Sequence, residues 1–232
     1  MDLYKDIAEK ERSNRETDFL IKELRLDKND KILDLACGSG RIANRIAKLG
    51  FNDVTGVDKN IESINLAKDI AIKSYIKVKY LNSDINEFYK YQNKFDKIFL
   101  IYCYFDYIKE IKVLHNIYNS LKIGGLFCLD LMNKNYPFSN FYSNDSLNNN
   151  ADLNSQKVTN LYQNSDFERK TNYKNVELSE IVYDVFSITF RFEDITNLLR
   201  KIGFTIQAAF SDWNSSPFLK FKSKRIILIA KK

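Results

Sequence analysis

Residues 31–41, with the sequence KILDLACGSGR, decide the fold of this chain. The first half, KILDL, is a short apolar run that is typical of a strand buried on both faces of a parallel sheet. Gly38 and Gly40 follow it, and glycine lets a chain turn sharply and approach a ligand without a Cβ in the way. The segment therefore predicts a buried strand that ends in a ligand-binding loop.

The residues that follow the loop predict a helix. Apolar side chains recur there at helical spacing, which indicates one buried face: Ile42, Ala43, Ile46, Ala47 and Leu49. The free backbone N–H groups in the first turn of this helix would point at whatever the loop binds. A strand, a glycine loop and a helix in this order predict a site for a nucleotide-like ligand.

The loop chemistry separates the possible ligands. A dinucleotide-binding loop has the pattern G-x-G-x-x-G and rests a pyrophosphate on the helix N-terminus. Here the corresponding run is ACGSG, and Asp34 lies inside the end of the strand. A carboxylate there would repel a pyrophosphate, whereas it would suit a ligand with an ammonium group near the loop. A nicotinamide dinucleotide remains the alternative ligand.

The run DLACGSGRIA closely resembles motif I of class I S-adenosylmethionine-dependent methyltransferases. The resemblance implies that the loop holds the methionine part of the cofactor. Asp58 ends a second predicted strand within ~25 residues of the loop, the separation expected of a carboxylate that takes ribose hydroxyls. A third predicted strand, residues 76–81, leads to Asp84, which the family places on the adenine amino group, and to Ile85, against the ring.

The resemblance implies S-adenosyl-L-methionine as the cofactor, although a single aspartate after a strand is more often a turn or helix-capping residue. Three acids at three successive strand ends make that coincidence much rarer. The expected cofactor-binding residues are Tyr4, Asp34, Ala36, Cys37, Gly38, Ser39, Gly40, Asp58, Lys59, Asn60, Ile61, Ser83, Asp84, Ile85, Ile101 and Tyr102. Cys37 also abuts a helix N-terminus, but in the resembling motif it is simply a small residue.

The rest of the chain continues the alternation of strands and helices, which predicts a doubly wound α/β fold. The pattern places a fourth strand at residues 95–102, a helix at 108–121 and a fifth strand at 124–131. In the family, segments like residues 204–210 and 223–232 form a closing antiparallel hairpin. The expected fold is a Rossmann-like, seven-stranded sheet in a single methyltransferase domain over residues 1–232.

The resemblance covers residues 1–132 and about 190–232, so residues 133–192 read as an inserted lid over the substrate. Residues 133–175 are rich in Asn and Ser, while 176–192 alternate as two strand-like pieces that favour an antiparallel β insertion. A helix at 193–202 then ends at Gly203. An insertion above the carboxyl ends of the strands would shape a pocket. Candidate substrate residues are Tyr107, Asn133, Arg169, Tyr183, Arg191, Asp212 and Trp213.

With such a cofactor, the protein mainly has to align a nucleophile with a methyl group that is already activated. Candidate catalytic residues follow the fourth strand: Tyr102, Tyr104 and Asp106. They could bind a cationic or flat acceptor, although core packing explains any one of them equally well. His115 is the only histidine, and its position on an amphipathic helix favours a structural role.

Composition narrows the function class. The net charge of +6 is spread over the chain, and there is no basic stripe or recognisable RNA-binding motif. The sequence has three cysteines without metal-ligand spacing, no apolar stretch of membrane-spanning length and no secretory start. These features predict a cytoplasmic protein. We expect a monomer or homodimer that methylates an N or O nucleophile of a small molecule, with no nucleic acid or membrane partner. The alternatives are an RNA or protein methyltransferase and a non-catalytic cofactor-binding protein.

Overall fold

The computed structural model describes residues 3–85, 91–102, 107–136 and 189–232. The predicted residues Tyr104, Asp106, Arg169 and Tyr183, and most of the predicted lid, lie outside these ranges. The described ranges contain helices α1 (Leu3–Glu23), α2 (Arg41–Lys48), α3 (Ile61–Lys73), α4 (Tyr107–Ser120) and α5 (Phe192–Ile202), and strands β1 (Lys31–Leu35), β2 (Asp53–Asp58), β3 (Lys79–Asn82), β4 (Phe95–Leu100), β5 (Leu121–Asn133), β6 (Thr189–Phe190), β7 (Thr205–Phe210) and β8 (Arg225–Lys231).

One mixed sheet organises these elements, in the order β3-β2-β1-β4-β5-β8-β7. Strands β1 to β5 pair in parallel, and β8 runs antiparallel to both β5 and β7. The predicted Rossmann-like sheet with an antiparallel C-terminal hairpin is therefore confirmed. Helices α2, α3 and α4 lie between β1 and β2, β2 and β3, and β4 and β5. The carboxyl ends of the parallel strands share one edge, which is where such sheets bind ligands.

The short strand β6 departs from the predicted sheet. The alternating residues up to 192 were expected to form an antiparallel insertion, but Thr189 and Phe190 pair in parallel with Met132 and Asn133. Because the last paired residue of β4, Leu100, lies opposite Leu129, β5 extends beyond β4 and leaves backbone groups without a strand partner there. Strand β6 fills that flank, as buried backbone polar groups require.

The core lies on both faces of the sheet. Neighbours along a strand point to opposite faces, so Ile32 packs with α1, α2 and α3, whereas Leu33 packs with α4 and α5. Phe99 and Leu100 divide in the same way. This arrangement explains why the predicted strands read as continuous apolar runs. None of the helices that the structure describes is long and apolar enough to cross a membrane.

Candidate active site

The loop after β1 has the backbone that its sequence predicts. Ala36, Gly38 and Gly40 have positive φ angles of 55°, 53° and 73°. Gly40 is the N-cap of α2, and its backbone N–H donates to the carbonyl of Cys37 at 3.0 Å. Ala36 is the strained position of the three, because the left-handed region costs an L-residue roughly 1–2 kcal/mol of conformational free energy.

The two loop glycines have different surroundings. A Cβ added to Gly40 would lie 2.1 Å from Tyr80 Oη and 2.9 Å from Ala67 Cβ, so this glycine is required by packing. A Cβ added to Gly38 would meet no atom within 4 Å. Gly38 therefore borders open space, and its backbone can be approached closely by a ligand.

Tyr80 on β3 packs against the loop after β1. Its hydroxyl donates to Asn44 Oδ1 at 2.8 Å, and its ring also fills the space beside Gly56. Burial raises the pKa of the Tyr80 hydroxyl, so it remains a donor. Burial likewise raises the pKa of the Cys37 thiol, which disfavours the thiolate and supports the reading of Cys37 as a small packing residue.

Asp58 joins the loop to the end of β2. One of its carboxylate oxygens accepts the backbone N–H of Gly38 at 2.8 Å, and the other accepts that of Asn60 at 2.8 Å. Asn60 in turn caps α3, with its side chain accepting from the Ser63 N–H. The Asn82 amide donates to the backbone carbonyls of Asp58 and Lys59. The carboxylate is thus held in one orientation beside Gly38.

Asp34 is the buried acid of this edge. Only 3% of its surface is exposed, and the backbone N–H of Ala43 donates to its carboxylate. Burial raises the pKa of Asp34 to about 8, because the loss of hydration outweighs the nearby Arg41 guanidinium and the Ala43 N–H. A cation placed against this carboxylate would favour its ionised form.

The residues expected around the adenine lie where β2 and β3 end. The Ser83 N–H donates to the Asp58 carbonyl at 3.1 Å, which brings the two strand ends together. Asp84 is half-buried and Ile85 packs against the core. Lys59 and Asn60 are exposed on the neighbouring turn, and Ile61, at the start of α3, is 50% exposed.

Tyr102 lies after β4 and is held at several points. Its φ is 53°, and its backbone N–H donates to Asp130 Oδ2 at 3.1 Å. Its hydroxyl donates to Glu16 Oε1 at 2.7 Å and accepts the Trp213 Nε1–H at 2.8 Å. Burial, with a contribution from Glu16, raises the pKa of Tyr102 to about 12. The phenol is therefore protonated at neutral pH.

Two arginines lie against the Tyr102 ring. The guanidinium carbon of Arg225 is 4.5 Å from the ring centroid and that of Arg12 is 5.6 Å away. Arg225 also forms a bidentate pair with Asp130, whose side chain is fully buried. Because guanidinium groups already contact this ring, Tyr102 is poorly placed to receive a cationic acceptor.

Helix α1 closes the same edge through Glu16, which is fully buried. Arg41, the first residue of α2, lies 2.5 Å from Glu16 Oε2 and donates to Ser13 Oγ at 2.9 Å. Sequence reasoning missed Ser13, Glu16, Asp130 and Arg225 as members of the site. A polar residue on a helix or strand gives no local signal that its partner lies on an element distant in the sequence.

The remaining candidates have different surroundings. Asn133 is fully buried, and its amide donates to the carbonyls of Lys220 and Ser223, both at 2.7 Å. Arg191 is the exposed N-cap of α5, and His115 is exposed on α4. The carboxylate of Asp212 accepts two backbone N–H groups within its own turn. Tyr4 and Tyr107 belong to α1 and α4, and the described residues contain no cluster of potential metal ligands.

Comparison with known proteins agrees with this geometry. A family model described as "Methyltransferase domain" matches residues 26–200. YqeM of Bacillus subtilis, named provisionally as a methyltransferase, is 30% identical over 113 residues, which are 47% of this chain and 45% of YqeM. The carboxy-S-adenosyl-L-methionine synthase of Nautilia profundicola is 27% identical over 218 residues, 92% of this chain and 85% of that protein.

A solved S-adenosylmethionine-dependent methyltransferase from Clostridium acetobutylicum superimposes with a TM-score of 0.67, covering 94% of this chain and 91% of its own. Its 21% sequence identity makes this a likeness of fold alone. The family model covers most of the chain, including β1 to β5 and the loop after β1. The resemblance seen in motif I is thereby confirmed, and the chain belongs to the class I S-adenosylmethionine-dependent methyltransferases.

Proposed function

We propose that this protein binds S-adenosyl-L-methionine at the edge formed by the loops after β1, β2 and β3, and transfers its methyl group to an N or O nucleophile of a small molecule. The observation that carries the proposal is the placement of Asp58. Both of its oxygens accept backbone N–H groups, from Gly38 and from Asn60, so it is oriented beside the loop before any ligand binds. Each oxygen retains a lone pair for a vicinal pair of hydroxyls.

The other residues at this edge fit the same cofactor. Asp34 is a buried carboxyl group with a raised pKa, and the cationic methionine end of the ligand would favour its ionised form. The open space in front of Gly38 admits a close approach to the backbone. Asp84 and Ile85 follow β3, where an acceptor and an apolar surface would meet the adenine. Tyr102 and Ile101 would border the methyl-transfer side.

The bound cofactor supplies a methyl group activated by a sulfonium. The protein then has to align the acceptor and exclude water, which is worth about 7–11 kcal/mol when the geometry is good. Tyr102 would shape that side of the site without removing a proton, since its pKa is raised to about 12 and its hydroxyl donates to Glu16. A general base, if the acceptor needs one, is proposed at Tyr104 or Asp106.

A small-molecule acceptor is supported by the absence of a basic stripe in the sequence. The name of the Nautilia relative also describes a small-molecule product. The match to YqeM spans less than half of that protein, so the acceptor is argued from this chain itself. We propose the cytoplasm as the compartment, supported by Cys37 and Cys128, which are free thiols. A monomer or homodimer is the proposed assembly.

Calorimetric titration with S-adenosylmethionine and S-adenosylhomocysteine tests the cofactor site. Asp58→Ala should weaken both ligands by at least about tenfold, since hydrogen bonds to a charged group contribute about 1.5–3 kcal/mol. Asp53→Ala is the matched control, because Asp53 is an exposed residue at the opposite end of the same strand. Equal affinities for Asp58→Ala and the native protein would contradict the proposal.

Product analysis separates methyl transfer from the alternatives. Incubation with small amines and alcohols should yield S-adenosylhomocysteine together with a methylated acceptor. A protein that binds the cofactor but never releases S-adenosylhomocysteine would be a non-catalytic binder. An RNA methyltransferase would instead bind RNA with an affinity that falls steeply with salt.

A second candidate function is conversion of the cofactor's own methyl group into a carboxyl-bearing one. It is favoured by the Nautilia relative, whose match extends along most of both chains. Arg12, which lies beside Tyr102 with a side chain that is 49% exposed, would suit a carboxylate-bearing substrate at this edge. Mass spectrometry distinguishes the two functions, because the second yields a carboxylated cofactor and no methylated acceptor.

A further inference from the structure

We infer that the turn formed by residues 217–224, between β7 and β8, is a docking surface for an anionic lipid membrane, in contrast to the expectation from sequence that the protein has no membrane partner. We call this segment the lysine turn. Its sequence, PFLKFKSK, alternates large apolar residues with lysines. This inference is independent of the proposed methyl transfer, because it concerns a surface outside the cofactor loop and is tested without cofactor.

The lysine turn presents two large apolar side chains to solvent. Leu219 is 54% exposed and Phe221 is 63% exposed. One exposed apolar residue is ordinary, but here two lie on a single turn, with the exposed lysines Lys220, Lys222 and Lys224 between and after them. Apolar side chains that enter the acyl boundary, with lysines that reach anionic headgroups, are the chemistry of membrane-surface binding.

The turn is built by specific contacts. The buried Asn133 amide donates to the carbonyls of Lys220 and Ser223, both at 2.7 Å. Ser223 Oγ accepts the Leu219 N–H at 2.7 Å, and the Leu219 carbonyl accepts the N–H groups of Lys222 and Ser223. A fully buried polar side chain is thus used to hold a turn whose apolar residues face outward. Leu219 and Phe221 are therefore displayed on an ordered support.

The lysine turn also packs against α5. Phe218 stacks on Phe192 of α5, with ring centroids 4.6 Å apart, and so belongs to the protein side. Lys220 pairs with Glu193 at 2.6 Å, which offsets one of the positive charges. Asp194 is the other acidic residue in the first turn of α5. Three lysines against these acids leave the turn positive, which matches an anionic lipid surface.

The position of the turn connects this surface to the rest of the protein. Arg225, which begins β8, lies opposite Met132 near the end of β5. The lysine turn is therefore at the carboxyl edge of the parallel strands, the edge that also carries Tyr102. A protein docked through Leu219 and Phe221 would face the lipid with this edge, so that an acceptor dissolved in the membrane would lie within reach.

Co-sedimentation with vesicles tests the inference. The protein of residues 1–232 is mixed with vesicles of phosphatidylcholine alone or with added phosphatidylglycerol, at low and at physiological ionic strength. We expect binding only to the anionic vesicles. Replacing both Leu219 and Phe221 with Ser should weaken binding by at least about tenfold. Replacing Lys222 with Gln should weaken it by roughly fivefold.

Ile72→Ser is the matched control, because Ile72 is 71% exposed on α3 and lies outside the turn. This variant should bind vesicles like the native protein. Equal binding to neutral and anionic vesicles, or no binding to either, would overturn the inference. So would a native dimer that the Leu219 and Phe221 substitutions dissociate in the absence of vesicle binding, since the surface would then belong to a second copy. Circular dichroism of each variant verifies that it is folded.

Discussion

At the scale of single residues, Gly38 and Gly40 allow the effect of backbone strain in the loop after β1 to be distinguished from the effect of packing. Both have positive φ, so an alanine at either position loses roughly 1–2 kcal/mol from backbone strain. Only at Gly40 would the new Cβ also collide, 2.1 Å from Tyr80 Oη. Alanine substitutions at the two positions therefore compare the same backbone strain with and without a steric clash.

We expect Gly38→Ala to cost about 1–2 kcal/mol of unfolding free energy, and Gly40→Ala to cost about 2–5 kcal/mol because overpacking adds to the strain. Urea denaturation measures both. Tyr80→Phe combined with Gly40→Ala should recover part of the loss, since it removes the nearest atom. Equal losses at the two glycines would show that packing against Tyr80 is unimportant. Gly38→Ala should instead weaken cofactor binding, because its Cβ enters the open space.

Asp34 should make the stability of the protein depend on pH. Burial raises its pKa from the ordinary 3.8 to about 8, so the folded state holds a proton that the unfolded state has released. Its contribution to stability is therefore fully present below pH 4 and is lost as the pH rises to 8. Asp34→Asn should flatten this part of the profile. Urea denaturation between these pH values measures the slope, and a slope shared by both proteins would contradict the assignment.

The same carboxyl should couple cofactor binding to proton release. Because a cationic ligand favours the ionised form of Asp34, affinity for S-adenosylmethionine should rise with pH up to about 8, where this carboxyl becomes ionised in the free protein. The rise can reach tenfold per pH unit. Calorimetry in buffers of different ionisation enthalpy would measure the released proton. Asp34→Asn should bind weakly and release none, and an equal release from this variant would assign the proton elsewhere.

At the scale of elements, the carboxyl edge is held together by ion pairs between segments that are distant in sequence. Asp130 on β5 pairs with Arg225 on β8, and Glu16 on α1 with Arg41 on α2. Tyr102 contacts both pairs. Helix α1 is thereby tied to the sheet at the point where the parallel strands end.

Arg225→Met should lower the unfolding free energy by about 3–5 kcal/mol, because it leaves the buried Asp130 carboxylate without a partner. Adding Asp130→Asn should recover part of this loss. Lys220→Met is the control, since the Lys220–Glu193 pair is exposed and worth at most about 1 kcal/mol. Urea denaturation of the four proteins provides the comparison. Similar losses from Arg225→Met and Lys220→Met would indicate that the Asp130 pair is not a buried structural contact.

At the scale of the whole molecule, one sheet carries both hydrophobic layers. Leu33 and Ile32 are neighbours on β1 but belong to opposite layers. Unfolding of the strands would therefore disrupt both layers. Residues 1–232 are therefore expected to unfold as a single domain. The one tryptophan, Trp213, reports on the hairpin edge through its contact with Tyr102.

Trp213 fluorescence and far-ultraviolet circular dichroism should give the same urea midpoint and slope, as a two-state transition requires. Saturating S-adenosylmethionine should move both curves together, by about 2.7 kcal/mol at a hundredfold excess over its Kd. Separate midpoints would mean that the hairpin edge unfolds apart from the parallel strands and would contradict the single domain.

Local patterns were sufficient for β1, the loop after it and α2. Residues 31–41 predicted β1, its loop and α2, because burial on two faces, positive φ at glycine and a helical apolar period are all properties of neighbouring residues. Gly203 was predicted as a helix end for the same reason, and its φ of 118° agrees. The third strand was predicted at residues 76–81, but β3 covers Lys79–Asn82, since alternation alone does not mark where pairing begins.

The sequence by itself determined the fold class, the loop after β1 and the placement of Asp34 and Asp58 at strand ends, since each follows from local chemistry and a specific motif. Only the tertiary structure decided the partners. Asp130 and Arg225 are 95 residues apart, and Glu16 and Tyr102 are 86 apart. No local period encodes such pairs, because they arise when separate strands and α1 meet at one edge of the sheet.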